Sequence, residues 1–152
     1  MVPRKILLCT DFSENSEPAR RWALDFAQAF GAGVLILHVI NASRLGYPAF
    51  DDGIPFDLQQ LMETLEESVA KNLEGLVEKC KEVVPDVAGF SRTGVPAGEI
   101  VRFAQVQAVD LIVMGTHGWT GIKHLILCST AENVVRTADC PVLTVKSSPK
   151  EG

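Results

Sequence analysis

Residues 110–130 read DLIVMGTHGWTGIKHLILCST, and the way this stretch divides decides the fold. The apolar run DLIVM has the length of a strand and leads directly into Gly115 and Gly118. The pair Ser129 and Thr130 then opens a stretch of helical composition that continues to Ala138. A strand that feeds a glycine loop and then a helix is one half of a parallel βαβ unit. Glycine admits positive φ and close backbone approach, and a helix N-terminus presents unpaired N–H groups, so this loop has the chemistry of an anion site.

Outward from this segment the same alternation repeats. Apolar runs at 5–10 (KILLCT), 34–39 (VLILHV), 87–93 (VAGFSRT), 110–114 and 141–146 (PVLTVK) read as five strands. Between the first two, Ala19, Trp22, Ala23, Phe26, Ala27 and Phe30 recur at helical spacing, with Ser13 and Ser16 as candidate caps, Pro18 in the first turn and Gly31 as the stop. A second helical face runs Leu58, Leu61, Met62, Leu65, Val69, Leu73, Leu76, Val77 and Cys80, and Pro85 ends it. Pro96 opens a short helix carrying Ile100, Val101, Ala104 and Gln105. Gly89 interrupts the third strand and makes it the weakest of the five. Residues 41–56, with two prolines and two glycines and no period, read as a long loop of the kind that serves as a lid or flap. The expected architecture is α/β: a doubly wound, five-stranded parallel sheet of order 3-2-1-4-5, with residues 1–148 as one domain and 149–152 as a tail.

Composition sets the outer bounds. The chain has 152 residues, 47% of them hydrophobic and 22% charged, which describes an ordinary globular domain with a sizeable core. Lys and Arg total 14 against 19 Asp and Glu, a formal charge of −5 that opposes binding to nucleic acid or to an anionic membrane. The apolar run in MVPRKILLCTD is too short for a signal peptide and no later run reaches membrane-spanning length, so a cytoplasmic location is expected. Cys9, Cys80, Cys128 and Cys140 have no CxxC spacing and no ligand-like pattern with the histidines, which argues against a disulfide framework or a structural zinc site.

In such sheets ligands bind beyond the C-terminal strand ends where the strand order reverses. Here that point lies between strands one and four, so Thr10 and Asp11 meet Met114 and Gly115. Neither standard phosphate fingerprint is present, because the lysine of GxxxxGK[ST] is missing and no GxGxxG follows the first strand. Ser129 with Glu132 reads as a capping box, and the serine serves either its own helix alone or the helix and a phosphate. Asp11 contacts a ligand or caps the first helix, and Val39 is core that borders the crevice. His117 has no partner at defined spacing that would make it catalytic or metal-binding.

The segments KILLCTDFSENSEPA (5–19), VLILHVI (34–40) and GVPAGEIVRFAQVQAVDLIVMGTHGWTGIKHLILCSTAENVVRTADCPVLTVK (94–146) together resemble the universal stress protein family over nearly the full chain. The resemblance implies a flavodoxin-like, Rossmann-like domain and a homodimer formed through the last strand, which begins at Pro141 and ends at Lys146. One branch of the family binds ATP through Gly-x2-Gly-x9-Gly-Ser/Thr. This sequence supplies Gly115, Gly118, nine residues, then Cys128 where that branch has glycine, then Ser129. Carried over by resemblance, Asp11 faces the adenosine, Val39 contacts adenine, and Met114 and Gly115 lie along the ribose. Gly118, Ser129 and Thr130 line the phosphates, and Thr10, His117 and Cys128 complete the nucleotide-binding set. A magnesium or manganese ion would be held by phosphate oxygens and water rather than by protein ligands. No general base or arginine clamp is evident, so the implied role is a regulatory binding module in a stress response, at most a slow ATP hydrolase. The branch without the glycine signature implies the alternative, a nucleotide-free regulatory or scaffold dimer with an unknown protein partner.

Overall fold

The computed structural model describes residues 1–45, 57–116 and 129–147. Its elements are β1 (Lys5–Cys9), α1 (Glu17–Phe30), β2 (Gly33–Asn41), α2 (Leu58–Lys81), β3 (Val87–Gly94), α3 (Pro96–Val106), β4 (Leu111–Gly115), α4 (Ser129–Thr137) and β5 (Val142–Val145). The five strands form one parallel sheet of order β3-β2-β1-β4-β5, the order expected from the sequence. Leu7 sits opposite Leu35 on one side and Ile112 on the other, so β1 is hydrogen-bonded along both edges.

A parallel strand covered on both faces must be apolar along its covered length, and β1 is from Ile6 to Cys9, after Lys5 at its half-buried start. Ile6 and Leu8 enter the layer under α1 and α2, together with Ile36, Val69, Leu73 and Val113. Leu7 and Cys9 enter the opposite layer under α3 and α4, with Phe103, Ile112, Met114 and Val134. Ile6, Leu7 and Leu8 are fully buried. The start of the strand is fixed by Asp110, whose Oδ2 accepts from the Arg4 and Lys5 backbone amides, both at 2.9 Å. No helix among the described residues is long and apolar enough to cross a membrane.

Several local expectations change. Trp22 and Phe30, on the apolar period of α1, are half-exposed, whereas Leu24 is buried beside Ala19, Ala23 and Ala27. Small residues let α1 lie close to the sheet, and the aromatics run up its flank as a row, Trp22 to Phe26 at 5.5 Å and Phe26 to Phe30 at 5.8 Å. Neither Ser13 nor Ser16 caps α1 with its side chain. Ser16 Oγ donates to the Ser13 carbonyl (2.6 Å), within a short 3-10 turn that precedes the helix. Gly31 does end α1, with φ of 66°.

The N-terminal cap of α2 is Asp57, whose Oδ1 accepts from the Gln60 amide at 3.1 Å. Leu58, at the head of the expected apolar face, is 52% exposed, and full burial starts only at Val69. The reason is length: 24 residues of helix extend about 36 Å, longer than the roughly 26 Å of the eight-residue β3 that it covers. Of the expected 41–56 loop, Asn41 belongs to β2 and Ala42–Leu45 forms a 3-10 turn; the remainder lies outside the described residues.

Gly89 does not break β3, which pairs with β2 from Val87 to Gly94. A Cβ on Gly89 would stand 2.9 Å from Val77 Cγ2 and 3.6 Å from Leu73 Cβ, so the glycine is what lets α2 approach the strand. Gly89→Val is therefore expected to destabilise the fold by about 1–3 kcal/mol through overpacking. Urea denaturation of the two proteins checks this, and an unchanged midpoint would mean that α2 does not depend on that close approach.

The cysteines give a second expectation. Burial, and secondarily Cys140 nearby, pushes the Cys9 thiol up to about 12. Burial also raises Cys140, and it raises Cys80 despite the opposing pull of the Arg20 guanidinium. At neutral pH these three carry little thiolate, whereas Cys128, which lies outside the described residues, is expected to favour one from its place in the sequence just before Ser129, the first residue of α4. Brief alkylation at neutral pH followed by peptide mapping should label Cys128 first, and faster labelling of Cys9 or Cys80 would contradict the assignment. The raised thiols also fix a sign: stability is full below the unfolded thiol value of about 8.5 and falls as pH rises toward 12, because the unfolded chain loses those protons first.

Candidate functional site

The strand order reverses between β1 and β4, and their C-terminal ends stand side by side. Beyond β1 the chain turns sharply, and nearly every polar group in that turn is bonded to another. The Thr10 amide donates to the Leu37 carbonyl (3.0 Å), and Thr10 Oγ1 accepts from the Phe12 amide (3.0 Å) and lies 3.2 Å from Ser16 Oγ. Asp11 Oδ1 accepts from both the amide (2.9 Å) and the hydroxyl (2.5 Å) of Ser13. Asp11 thus organises its own turn, and the residue at the N-cap of α1 is Ser16.

Phe12, between them, has φ of 63°, a left-handed conformation that costs a side-chain-bearing residue about 1–2 kcal/mol. Its ring stacks on His38 at a centroid distance of 4.6 Å, and His38 Nδ1 donates to the Thr10 carbonyl at 2.8 Å. The stack and the hydrogen bonds hold the turn in a geometry its backbone disfavours. Strained backbone supported by its surroundings in this way is typical of functional sites.

From β2, Val39 is half-buried against the α3/α4 layer, opposite Arg92 of β3. From β4, Met114 is 4% exposed and belongs to that layer's core, while Gly115 ends the strand opposite Val145. Thr116 follows, 2% exposed, its amide donating to the Val145 carbonyl at 3.0 Å. Ser129 and Thr130 begin α4, the serine exposed and the threonine half-buried. Glu132, the expected partner in a capping box, reaches forward to Arg136 at 2.8 Å. His117, Gly118 and Cys128 lie outside the described residues.

The sheet therefore gathers Thr10, Asp11, Val39, Met114 and Gly115 at the ends of three adjacent strands, β2, β1 and β4. Phe12, His38 and Thr116 are the site residues that sequence reasoning passed over. His38 was detectable, as an ionisable side chain in the otherwise apolar run VLILHVI. Phe12 was not, because a positive φ is expected at Gly, Asn or Asp rather than at an aromatic.

Residues 3–146 match the Universal stress protein family. Universal stress protein MJ0531 of Methanocaldococcus jannaschii is 38% identical over 149 residues, covering 97% of this chain and 85% of the relative. Universal stress protein MJ0577 of the same organism is 32% identical, covering 94% of each. The solved structure of MJ0577 superimposes with a TM-score of 0.78 at 30% identity, over 99% of this chain and all of that one. A universal stress protein solved in complex with cAMP shares the fold, with a TM-score of 0.72 at 22% identity, over 97% of this chain and 100% of that one. With a match spanning nearly the whole chain and the flavodoxin-like sheet in the expected order, this protein belongs to the universal stress protein family.

Proposed function

We propose that the protein is a cytoplasmic stress-response module that binds an adenine nucleotide, ATP, in the crevice between the ends of β1 and β4, and regulates through that binding rather than through catalysis. The observation that carries this reading is the convergence, at the reversal of strand order, of the Asp11 turn with the Gly115 end of β4. The fold itself supports it, since a neighbour of the same architecture was solved with cAMP.

Charge orients the ligand. The Asp11 carboxylate repels phosphate, so it belongs at the adenosine end, accepting a ribose hydroxyl, with Val39 against the base and Met114 and Gly115 along the sugar. The triphosphate then lies toward Gly118 and the start of α4, where the N–H groups near Ser129 and Thr130 and the helix dipole favour an anion. Magnesium or manganese binds through the phosphate oxygens and water, which fits a site whose donors are backbone amides and hydroxyls. His117 and Cys128 complete the rim in this reading. Cys128 keeps its backbone N–H but adds a side chain where the ATP-binding branch has glycine, so binding is weakened without being abolished.

Mass spectrometry of small molecules released from freshly purified protein should find an adenine nucleotide, and calorimetry should show ATP binding. Asp11→Asn keeps an Oδ1 acceptor for Ser13 while removing the charge, and is expected to lower affinity about tenfold, equivalent to ~1.4 kcal/mol. Cys128→Gly should raise affinity by about the same factor, and Gly118→Val should prevent binding while leaving the fold intact. A protein that carries no nucleotide and does not take up ATP at millimolar concentration would turn the assignment to the nucleotide-free scaffold.

The quaternary proposal rests on β5. Among the described residues this strand pairs on one edge, with β4, and Val142, Leu143 and Thr144 are only half-buried. An apolar edge left open invites uncontrolled association, and pairing with a second copy across a two-fold axis closes it. Sedimentation at micromolar concentration should give a dimer or an even multiple, and a strictly monomeric species would exclude pairing through 141–146.

A further inference from the structure

On the far side of the turn after β1, with Thr10 at the boundary with the crevice, α1 and α2 part over β1 and leave a groove of about 480 Å³. Two strips of residues line it, one on α2 and one running from the turn after β1 into α1. On α2 the strip is Asn72, Gly75, Leu76 and Lys79, at i, i+3, i+4 and i+7; on the other side Ser13, Ser16, Glu17 and Arg20 have the same spacing. Leu8, Phe12 and Leu76 give the groove an apolar surface.

Its cations are not equivalent. Arg20, whose side chain is 13% exposed, is engaged by Glu17: Nε donates to Oε2 at 2.9 Å and Nη2 donates to Oε1. That hydrogen bond holds the Glu17 carboxyl below its usual range, so the pair is internally neutral. Lys79 supplies the remaining positive charge of the groove, whose lining also includes Asn72, while the Ser13 and Ser16 hydroxyls that border it donate to Asp11 Oδ1 and to the Ser13 carbonyl.

Gly75 bears on the purpose of the space. Glycine is the poorest helix former after proline, yet it stands inside a 24-residue helix. No heavy atom lies within 4 Å of where its Cβ would be, so packing does not require it. Gly75 is exposed and lines the groove, so its missing side chain leaves that part of the wall bare.

We propose that this groove is a second ligand site, distinct from the nucleotide crevice, that takes a small singly charged organic acid. The carboxylate meets Lys79 and Asn72, and an aliphatic or aromatic body lies on Leu8, Phe12 and Leu76. The volume falls within the range of small-molecule sites, and one net positive charge with one side-chain amide beside an apolar surface matches a monocarboxylate better than a dianionic phosphate.

The test is an amide-resolved NMR titration of the full chain with 3-phenylpropionate and octanoate, against the neutral 3-phenylpropionamide and inorganic phosphate. The acids should produce saturable shifts at Ser13, Gly75 and Lys79, and the neutral amide should bind at least about tenfold more weakly. Lys79→Gln should bring the acids down to the affinity of the amide. Gly75→Met should abolish binding while helix content by circular dichroism stays the same or rises, which separates a filled groove from a misfolded protein. The proposal is overturned if no saturable shift occurs at these amides at millimolar acid, if acid and amide bind equally, if phosphate binds as well as the acids, or if Gly75→Met binds like the parent. Shifts confined to Gly115, Ser129 and their neighbours would place the acid in the nucleotide crevice and overturn it as well, whether or not ATP also binds there.

Discussion

Everything in this fold is referred to β1. The strand is hydrogen-bonded on both edges and covered on both faces, and Ile6, Leu7 and Leu8 have no exposed surface. Three consecutive large aliphatics fully removed from water contribute on the order of 5–9 kcal/mol before the entropy of ordering is subtracted. That burial leaves one place in the register for β1 and so fixes where it ends. Asp110 reinforces the same register from below by joining the amides of Arg4 and Lys5 to the start of β4. Since chain order changes sides between these two strands, fixing their register also fixes the mouth of the crevice.

The turn after β1 uses that rigidity. A left-handed Phe12 is unfavourable in isolation, and the energy that offsets it comes from neighbours that β1 and β2 hold still: the His38 ring, the Thr10 hydroxyl and the Asp11–Ser13 pair. Asp11 is therefore presented by a turn in which its own carboxylate is a structural partner. A ligand hydroxyl meeting that carboxylate meets a preorganised acceptor, which reduces the ordering cost of binding. The same turn forms one wall of the α1/α2 groove through Phe12, Ser13 and Ser16, so the crevice and the groove have a common rigid partition.

The sheet was legible because strands buried on both faces write themselves as continuous apolar runs, and KILLC, VLILHV and LIVM leave little choice. The strand order was expected as the common one for a doubly wound sheet with right-handed crossovers. Details decided by distance rather than by pattern were harder to read. Gly89 reads equally as a strand break or as room for a helix, and only the 2.9 Å approach of Val77 distinguishes the two. Trp22 and Phe30 share the period of α1, but period alone does not mark where a buried face stops, and alanines elsewhere on the helix set the distance to the sheet. Ser13 and Ser16 have the composition of caps and spend their hydroxyls on Asp11 and on the Ser13 carbonyl. Of the candidate site, Asp11 and Gly115 were readable from topology, whereas the Phe12–His38 stack depends on a backbone angle that sequence does not announce.

Helix α2 shows why length by itself is informative. A crossover that only had to match the length of β3 could be about seven residues shorter at 1.5 Å per residue. The extra turns carry Leu58, Leu61, Met62 and Leu65, none of them fully buried, on the side where 46–56 joins the helix. Apolar side chains left at half burial over several turns gain little stability where they stand, yet each loses rotamer freedom in the helix. Asp57 nevertheless caps the first turn by accepting from the Gln60 amide, which holds the helix start in place rather than letting it fray. The N-terminal half of α2 is thus anchored by its cap and the C-terminal half by Val69, Leu73 and Cys80. Gly75 stands within the anchored half, yet a side chain there would meet no heavy atom within 4 Å, so the glycine lowers helix propensity in a segment whose packing does not require it.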